Sequence, residues 1–426
     1  MKREEQELLA RTGAGTPMGE LLRRYWTPAL LSREIETGGA AIRVRLFGED
    51  LVAFRSPDNK VGLFAENCAH RGASLSLAKN EAGGLRCWYH GWKYDVDGKC
   101  IDQPNEPPSS QVCEKIAQPA YPCIEKNGVV WSYLGPREDM PPFPALEWTA
   151  VPEGHYYASK RFQECNWLTG MEGDLDSSHL NFLHGTETIK ASPSHGRFES
   201  GQWMADDAFP KFEIAPRPGG FIHGARRNAD DAHHYWRIGT WLLPCFTMIP
   251  GFPGDLPMGG HAWVPRDDET TWCFAFSWHP LRPLKESELK QIATGWGMHS
   301  LLAPGSFVPA HNKRNGYAPH DAPQDGQNWE RVKIFQDQDV AITESIGGAF
   351  DLTNETLGST DIVIISARRR LMAEARALAE GKKPRITAED FRVRPISCVL
   401  PRDATSWADA VAEAIDARPE TYRPSI

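Results

Sequence analysis

No apolar run in this 426-residue chain approaches the roughly 18 residues that a membrane-spanning helix needs. The N-terminus, MKREEQELLARTG, is charged and carries no apolar signal region. Both features predict a cytoplasmic protein that does not enter a membrane. Positive charge is short as well: 47 Lys and Arg stand against 56 Asp and Glu, a net charge of −9. An acidic chain gives little support for a nucleic-acid surface. Cysteine is sparse, nine residues in all, an odd number far below the density of a disulfide scaffold. There is no G-x-G-x-x-G dinucleotide fingerprint, no internal repeat and no low-complexity tract.

What is present is ordinary for a globular protein, 41% hydrophobic and 24% charged residues. The length suits two or three domains. Fifteen tryptophans and 33 prolines point to a loop-rich, mixed fold with aromatic-lined cavities. Residues 4–26 read as helical with a break at 13–16, where Thr16-Pro17 is an N-cap followed by a first-turn proline. From residue 41 the period changes to two: Ile42, Val44 and Leu46 alternate with polar neighbours, and turn signals at 48–50 and 58–60 separate three strands. Short strands continue, so residues 27–140 predict a small all-β domain. A proline-rich junction at 140–144 leads to helix over 165–183. Strands follow at 221–227, 235–243, 261–264 and 271–278, then helices at 286–302 and 361–380. The run Arg368-Arg369-Arg370 reads as a solvated helix face or a subunit contact.

Most cysteines (Cys100, Cys113, Cys123, Cys165, Cys245, Cys273 and Cys398) read as small buried hydrophobes. Cys68 and Cys87 differ, because each is followed closely by a histidine. Cys68-Ala-His70 and Cys87-Trp-Tyr-His90, sixteen residues apart, offer two thiolates and two imidazoles on two short loops. On spacing alone, three readings are open: a Rieske-type [2Fe–2S] centre, a structural zinc, and unrelated core residues. The wider text, Cys-Ala-His-Arg-Gly-Ala and Cys-Trp-Tyr-His-Gly-Trp-Lys-Tyr, resembles the Rieske motif of the aromatic-ring-hydroxylating oxygenases. Gly72 and Gly91 stand where backbone must pass close to a cluster.

A second constellation follows in Glu172-Gly-Asp-Leu-Asp176-Ser-Ser-His179-Leu-Asn-Phe-Leu-His184. At about 100° per residue, Glu172, Asp176 and His179 fall on one helical face and His184 points away. The helix must therefore end or distort before His184 if both histidines bind one metal. Two histidines and a distant carboxylate make the facial triad of a non-haem Fe(II) oxygenase. A buried polar helix with satisfied histidines is the plain alternative for this segment in isolation.

Behind a Rieske motif the pattern resembles the catalytic domain of the Rieske non-haem iron oxygenases. Gly15-Thr-Pro-Met-Gly-Glu-Leu-Leu-Arg-Arg-Tyr-Trp and Glu172-Gly-Asp-Leu-Asp-Ser-Ser-His are similar to the phthalate-dioxygenase-like group. The resemblance spans nearly the whole chain and is weakest over about 185–330. It implies an α+β fold: residues 1–26 a helical segment against the catalytic domain, 27–140 the all-β Rieske domain, and 141–426 a catalytic domain with an antiparallel sheet flanked by helices. Gln338-Asp339-Val-Ala-Ile-Thr-Glu-Ser, in a helix stopped by glycine, is similar to the stretch that supplies the third ligand. Asp339 is the choice and Asp337 the runner-up.

The implied cofactors are a Rieske [2Fe–2S] cluster on Cys68, His70, Cys87 and His90, and Fe(II) on His179, His184 and Asp339. The implied reaction is O2-dependent hydroxylation of an aromatic carboxylate, by ring dihydroxylation or O-demethylation. NADH does not give single electrons, and the chain has no dinucleotide fingerprint, so a separate reductase is expected, with or without a ferredoxin. A substrate anion calls for arginine. Arg226, Arg227 and Arg237 are candidates, with Arg237 facing a cavity floored by Trp241, and His223 is a candidate hydrogen-bonding group. In the resembling family, Asp176 would bridge His179 to His90 of the partner subunit in a ring-shaped homotrimer or a multiple of it; the plain alternative is that Asp176 only fixes the tautomer of His179. The alternative is a Rieske electron-transfer protein without oxygenase activity, against which the two intact histidines stand.

Overall fold

Thr16 starts the second of two short N-terminal helices: its hydroxyl accepts from the Gly19 amide, and Pro17 sits in the first turn, where a missing N–H leaves nothing unpaired. Helices α1 (Arg3–Ala10) and α2 (Pro17–Leu22) bury Leu9, Met18, Leu21 and Leu22, and both pack on a long helix near the C-terminus, Ile362–Ala379. The computed structural model describes residues 1–184, 199–251, 254–317, 332, 334–347 and 351–424.

Strand β1 (Thr27–Leu31) is followed by the meander read from the alternation, β2 (Ile42–Leu46), β3 (Glu49–Arg55) and β4 (Val61–Ala65). A four-stranded sheet comes next: β5 (Lys79–Glu81), β6 (Gly84–Arg86), β7 (Lys93–Tyr94) and β8 (Cys100–Asp102). The single-turn helix α3 (Val112–Lys115) leads to β9 (Cys123–Lys126) and β10 (Val129–Ser132), and β10 returns to pair with β1. Val52, Phe54, Phe64, Leu75, Leu85, Trp92 and Tyr94 form a separate small core together with Cys68 and Cys87.

The second half is built on one antiparallel sheet. Its elements in chain order are β11 (Tyr156–Gln163), α4 (Trp167–Leu175), α5 (Glu199–Asp206), β12 (Lys211–Arg217), β13 (Gly220–Asn228), β14 (His233–Leu242), β15 (Phe246–Ile249), β16 (Met258–Pro265) and β17 (Thr271–Trp278). They continue with α6 (Glu286–Ala293), α7 (Phe335–Ile346), α8 (Ile362–Ala379), β18 (Ile396–Pro401) and α9 (Trp407–Ala410). The eight strands run β11-β17-β16-β15-β14-β13-β12, with β18 also on β14. The architecture is α+β. One large core joins both halves, running from Leu46, Phe47 and Trp131 to Trp148, Trp263 and Phe276.

Register decides which side chains reach which face. His223 lies opposite Gly239, Ala225 opposite Arg237 and Arg227 opposite Tyr235, so His223, Arg227 and Arg237 share a face of β13 and β14. Arg226 lies opposite Trp236 on the other face, which packs on Trp407, Val411 and Ile415.

Three local readings change. The helix expected over 165–183 ends at Leu175, because the Asp176 carboxylate accepts from the Ser178 amide at 2.6 Å and its hydroxyl at 2.5 Å, a local turn that competes with the helix. The helix expected over 286–302 ends at Ala293, ahead of Gly295 and Gly297, whose φ angles are 84° and 74°. Within the arginine run, Arg368 is buried rather than solvated. It grips Glu172 of α4 through two bonds of 2.5 and 2.6 Å and Glu355 through a further pair.

Candidate functional site

The loops after β4 and β6 share one pattern. The Cys68 amide donates to Ala73 O and the Gly72 amide to Cys68 O. The Cys87 amide donates to Trp92 O and the Gly91 amide to Cys87 O. Gly72 and Gly91 have φ of 71° and 77°, which glycine adopts without strain. A side chain at Gly91 would also collide with Pro104, whose Cγ lies 2.6 Å from the Cβ position. The loops bury both cysteines and leave both histidines half-buried. The His70 and His90 rings are 4.6 Å apart, and His70 stacks on Trp92 at 4.1 Å. Cys68 Sγ meets the Tyr94 hydroxyl at 3.2 Å. Burial pushes the Cys87 thiol up, and Cys68 beside it adds to the rise. Two adjacent buried thiols ionise together only around a positive centre. A cysteine pair beside a histidine pair suits a two-iron cluster with one pair on each iron. A single zinc would draw all four ligands together. Among the described residues, only His179, His184 and Asp339 form a group of three or more donors lying within 4.8 Å of one another.

That second group is assembled by the early end of α4. After Asp176, a single 3₁₀ turn, His179–Asn181, redirects the chain. His184 Nε2 then lies 3.3 Å from Asp339 Oδ1 on α7, and His179 Nε2 lies 3.7 Å from the same atom. Asp337, the other carboxylate weighed from sequence, is engaged elsewhere, with its Oδ2 2.7 Å from His311 Nδ1. Helix α7 contributes more than the carboxylate. Gln338 Oε1 is 2.7 Å from His184 Nδ1, and Phe335 stacks on the His184 ring at 3.7 Å. Asp176 Oδ2 stands 3.6 Å from His179 Nδ1. Burial pushes the Asp176 carboxyl up, but the neighbouring His179 ring and the bonds from Ser178 outweigh it and leave the group below its ordinary value. Burial pulls His179 down, and Asp176 and Asp339 more than reverse this. A carboxylate and two imidazoles converge here on a space that fits one divalent metal.

These residues open into a cavity of about 660 Å³ lined by His179, His184, Asp339, Asp176, His223 and Arg237 together with apolar side chains such as Leu180, Leu183, Ile249, Met258 and Trp296. Arg237 is buried and its Nη2 donates to Pro250 O at 2.8 Å. His223 leans over Gly239, where a Cβ would meet its Nε2 at 2.6 Å, so the glycine makes room for the ring. Burial holds His223 down at about 4, so it is neutral near pH 7. Its Nδ1 meets no hydrogen-bond partner among the described residues.

The other sequence candidates go elsewhere. Arg226 does not line this cavity; it lies 3.9 Å from Glu213 and its guanidinium sits 5.6 Å from the Trp236 ring centre. Arg227 holds the loop that carries His179, donating to Ser177 O at 2.9 Å and Asn181 Oδ1 at 3.4 Å. Trp241 is no cavity floor; it is fully buried with its indole N–H on Met171 Sδ at 3.2 Å. Sequence reasoning missed Gln338, although it adjoins Asp339. It also missed Asp174, which accepts from Thr247, His261 and Trp263 at 2.5, 2.8 and 2.6 Å under the cavity. No spacing rule links those four residues.

Comparison with known proteins matches both halves of the chain to families. Residues 25–122 match the Rieske [2Fe-2S] domain family, and residues 132–418 match the LigXa C-terminal domain like family. The chain is 35% identical to the 3-chlorobenzoate-3,4-dioxygenase oxygenase subunit of Comamonas testosteroni, covering 88% of each chain. It is 32% identical to the phthalate 4,5-dioxygenase oxygenase subunit of Pseudomonas putida, covering 97% of this chain and 95% of that one. It is 29% identical to the 5,5'-dehydrodivanillate O-demethylase oxygenase subunit of Sphingobium sp., covering 97% of this chain and 89% of that one. The chain belongs to the Rieske non-haem iron oxygenases, as an oxygenase component of the phthalate-dioxygenase-like group with a [2Fe–2S] cluster and a mononuclear iron as cofactors.

Proposed function

We propose that this component uses O2, and electrons from a separate NADH-dependent reductase, with or without a ferredoxin, to hydroxylate an aromatic carboxylate. The route is ring dihydroxylation or O-demethylation of a methoxylated acid. One observation carries the reading: a single, mostly apolar cavity holds the His179, His184 and Asp339 group and the buried guanidinium of Arg237. A buried arginine recognises a planar carboxylate with two parallel bonds. The relatives are named for chlorobenzoate, phthalate and a divanillate, which supports an aromatic acid and both product types.

The iron is assigned to His179, His184 and Asp339, and the cluster to Cys68, His70, Cys87 and His90. When bound, the iron supplies O2 activation and the cluster supplies single electrons. The chain's own residues set the conditions around them. Gln338 fixes the His184 ring, Arg227 fixes the loop of His179, and neutral His223 offers a hydrogen bond to a substrate oxygen. Asp176 is assigned the bridge from His179 to His90 of the partner subunit in a ring-shaped homotrimer. Two features support the bridge: the Asp176 side chain keeps 23% exposure beside His179, and Trp88 and Tyr89, 80% and 57% exposed, adjoin His90.

The test is O2 uptake by the reduced holoenzyme across a panel of benzoates, phthalates and methoxylated benzoates, with formaldehyde and diol products measured. Coupled uptake with an acid and none with its methyl ester supports the proposal. Uptake coupled equally to acids and neutral analogues would overturn the carboxylate assignment.

A further inference from the structure

The cysteines outside the cluster loops read as inert core thiols, but two of them are not spaced like core residues. Cys100 Sγ and Cys113 Sγ stand 2.7 Å apart. That is well inside the roughly 3.5–4.0 Å at which non-bonded heavy atoms rest, and a short step from the roughly 2.05 Å of a disulfide. Cys100, in β8, is buried, whereas Cys113, in α3, is partly exposed. The backbone around them is already drawn together. Lys99 pairs with Ala117 in an antiparallel bridge, and the Cys100 amide donates to Ile116 O at 3.4 Å. The thiols thus sit at the neck of a loop over residues 103–111, and joining them asks for little backbone movement.

This loop touches the cluster motif. Asn105 Oδ1 accepts from the Trp92 indole N–H at 2.8 Å, and Pro104 fills the space beside Gly91. Trp92 lies flat on His70, with an interplanar angle of 4°. Whatever holds the loop therefore holds the two groups that flank His70 and His90.

We propose that Cys100 and Cys113 are an oxidisable pair that closes to a disulfide under hydrogen peroxide and staples the loop buttressing the histidine side of the Rieske motif. The chemistry balances. The Cys113 thiolate attacks one peroxide oxygen, the O–O bond breaks, and the departing hydroxide takes up a proton as water, leaving a sulfenic acid. The Cys100 thiol attacks that sulfur, the S–O bond breaks, and a second water leaves. Two thiols and one peroxide give one disulfide and two waters, with two electrons passing from sulfur to oxygen. Two-electron reduction of O2 that misses its substrate yields this oxidant, so an oxygenase meets it at its own site.

The test uses the purified holoenzyme. It is exposed to hydrogen peroxide or to diamide, a thiol-specific oxidant, then freed of oxidant, alkylated under denaturing conditions and mapped by mass spectrometry. The expected product is the peptide spanning residues 100–115 with an internal bond between Cys100 and Cys113, two hydrogens lighter than the dithiol, unalkylated and reversed by reductant. Cys165, Cys245 and Cys273 should stay alkylatable. The oxidised protein should then lose its visible cluster spectrum to a chelator severalfold more slowly than the reduced protein, and Cys113→Ser should show no oxidant-dependent difference. Separate alkylation of both thiols after diamide would overturn the pair, and the same protection in Cys113→Ser would overturn the staple.

Discussion

His184 turns Nδ1 toward Gln338 Oε1 at 2.7 Å and thereby presents Nε2 to Asp339 Oδ1 at 3.3 Å. An amide oxygen only accepts, so Nδ1 carries the hydrogen and Nε2 keeps its lone pair. Adjacent residues of one helix thus supply the carboxylate and fix the tautomer of its neighbour. Gln338→Leu is expected to lower mononuclear iron affinity by about 10–100-fold, while the visible cluster spectrum is unchanged. Iron titration of the two sites checks this. Full iron retention in the variant would remove the orienting role.

Arg368 on α8 joins α4 to the chain after α7 by neutralising two carboxylates at once, Glu172 on α4 and Glu355 after α7. Burial pushes the Glu172 carboxyl up, and the Arg368 guanidinium opposes that rise. Arg368→Met leaves both acids without their cation, which should cost about 3–5 kcal/mol, the range for breaking a buried pair. Denaturant unfolding of variant and parent measures it. A loss below about 1 kcal/mol, the value of a surface pair, would show that the network is solvated in solution.

Such contacts mark where the sequence stops being legible. The cluster motif is local: two ligands per loop, each loop closed by a glycine, so the contiguous residues around Cys68 and Cys87 carry it, where spacing alone left zinc and unrelated core residues open. The strands from Ile42 to Ala65 were equally plain, because alternation survives any register. Asp339 and Asp337 lie on one helix two residues apart, and only the packing of α7 brings the first to His184 and the second to His311. The strand period turned Arg237 toward a cavity but left Arg226 a candidate beside it, until register put the two on opposite faces. The helical period carried Asp176 and His179 onto one face, but a carboxylate two residues from a serine amide ended the helix first. The Arg368 run looked solvated because its partners, Glu172 and Glu355, are distant or carry no motif.

The register makes a paired prediction for substrate. Arg237 faces the cavity, whereas Arg226 faces away beside Glu213. Arg237→Met should weaken binding of an aromatic acid by about 1.5–3 kcal/mol, the range for a hydrogen bond to a charged group. Arg226→Met should leave binding unchanged. Substrate titration of both variants decides it, and equal losses in the two would remove Arg237 from the anion site.

Another buried histidine, outside both ligand sets, gives a pH signature. His299 lies between Ser159 Oγ at 2.6 Å and Ser277 Oγ at 3.0 Å. Burial pulls it from 6.5 down to about 3. In the unfolded chain a histidine takes up a proton below about 6.5. The folded protein refuses that proton until far lower pH. Between these values the unfolded state binds more protons, so stability rises with pH and is lost as pH falls from about 6.5 toward 3. From pH 7.5 to 5.5, this one group should remove about 1.4 kcal/mol, one pKa unit's worth. His299→Gln keeps a polar side chain between the serines and cannot titrate. Its unfolding free energy should therefore fall less than that of the parent over this interval, by that amount. Parallel pH profiles for parent and variant would mean that His299 is protonated in the folded protein, and that the serine pair does not enclose a neutral ring.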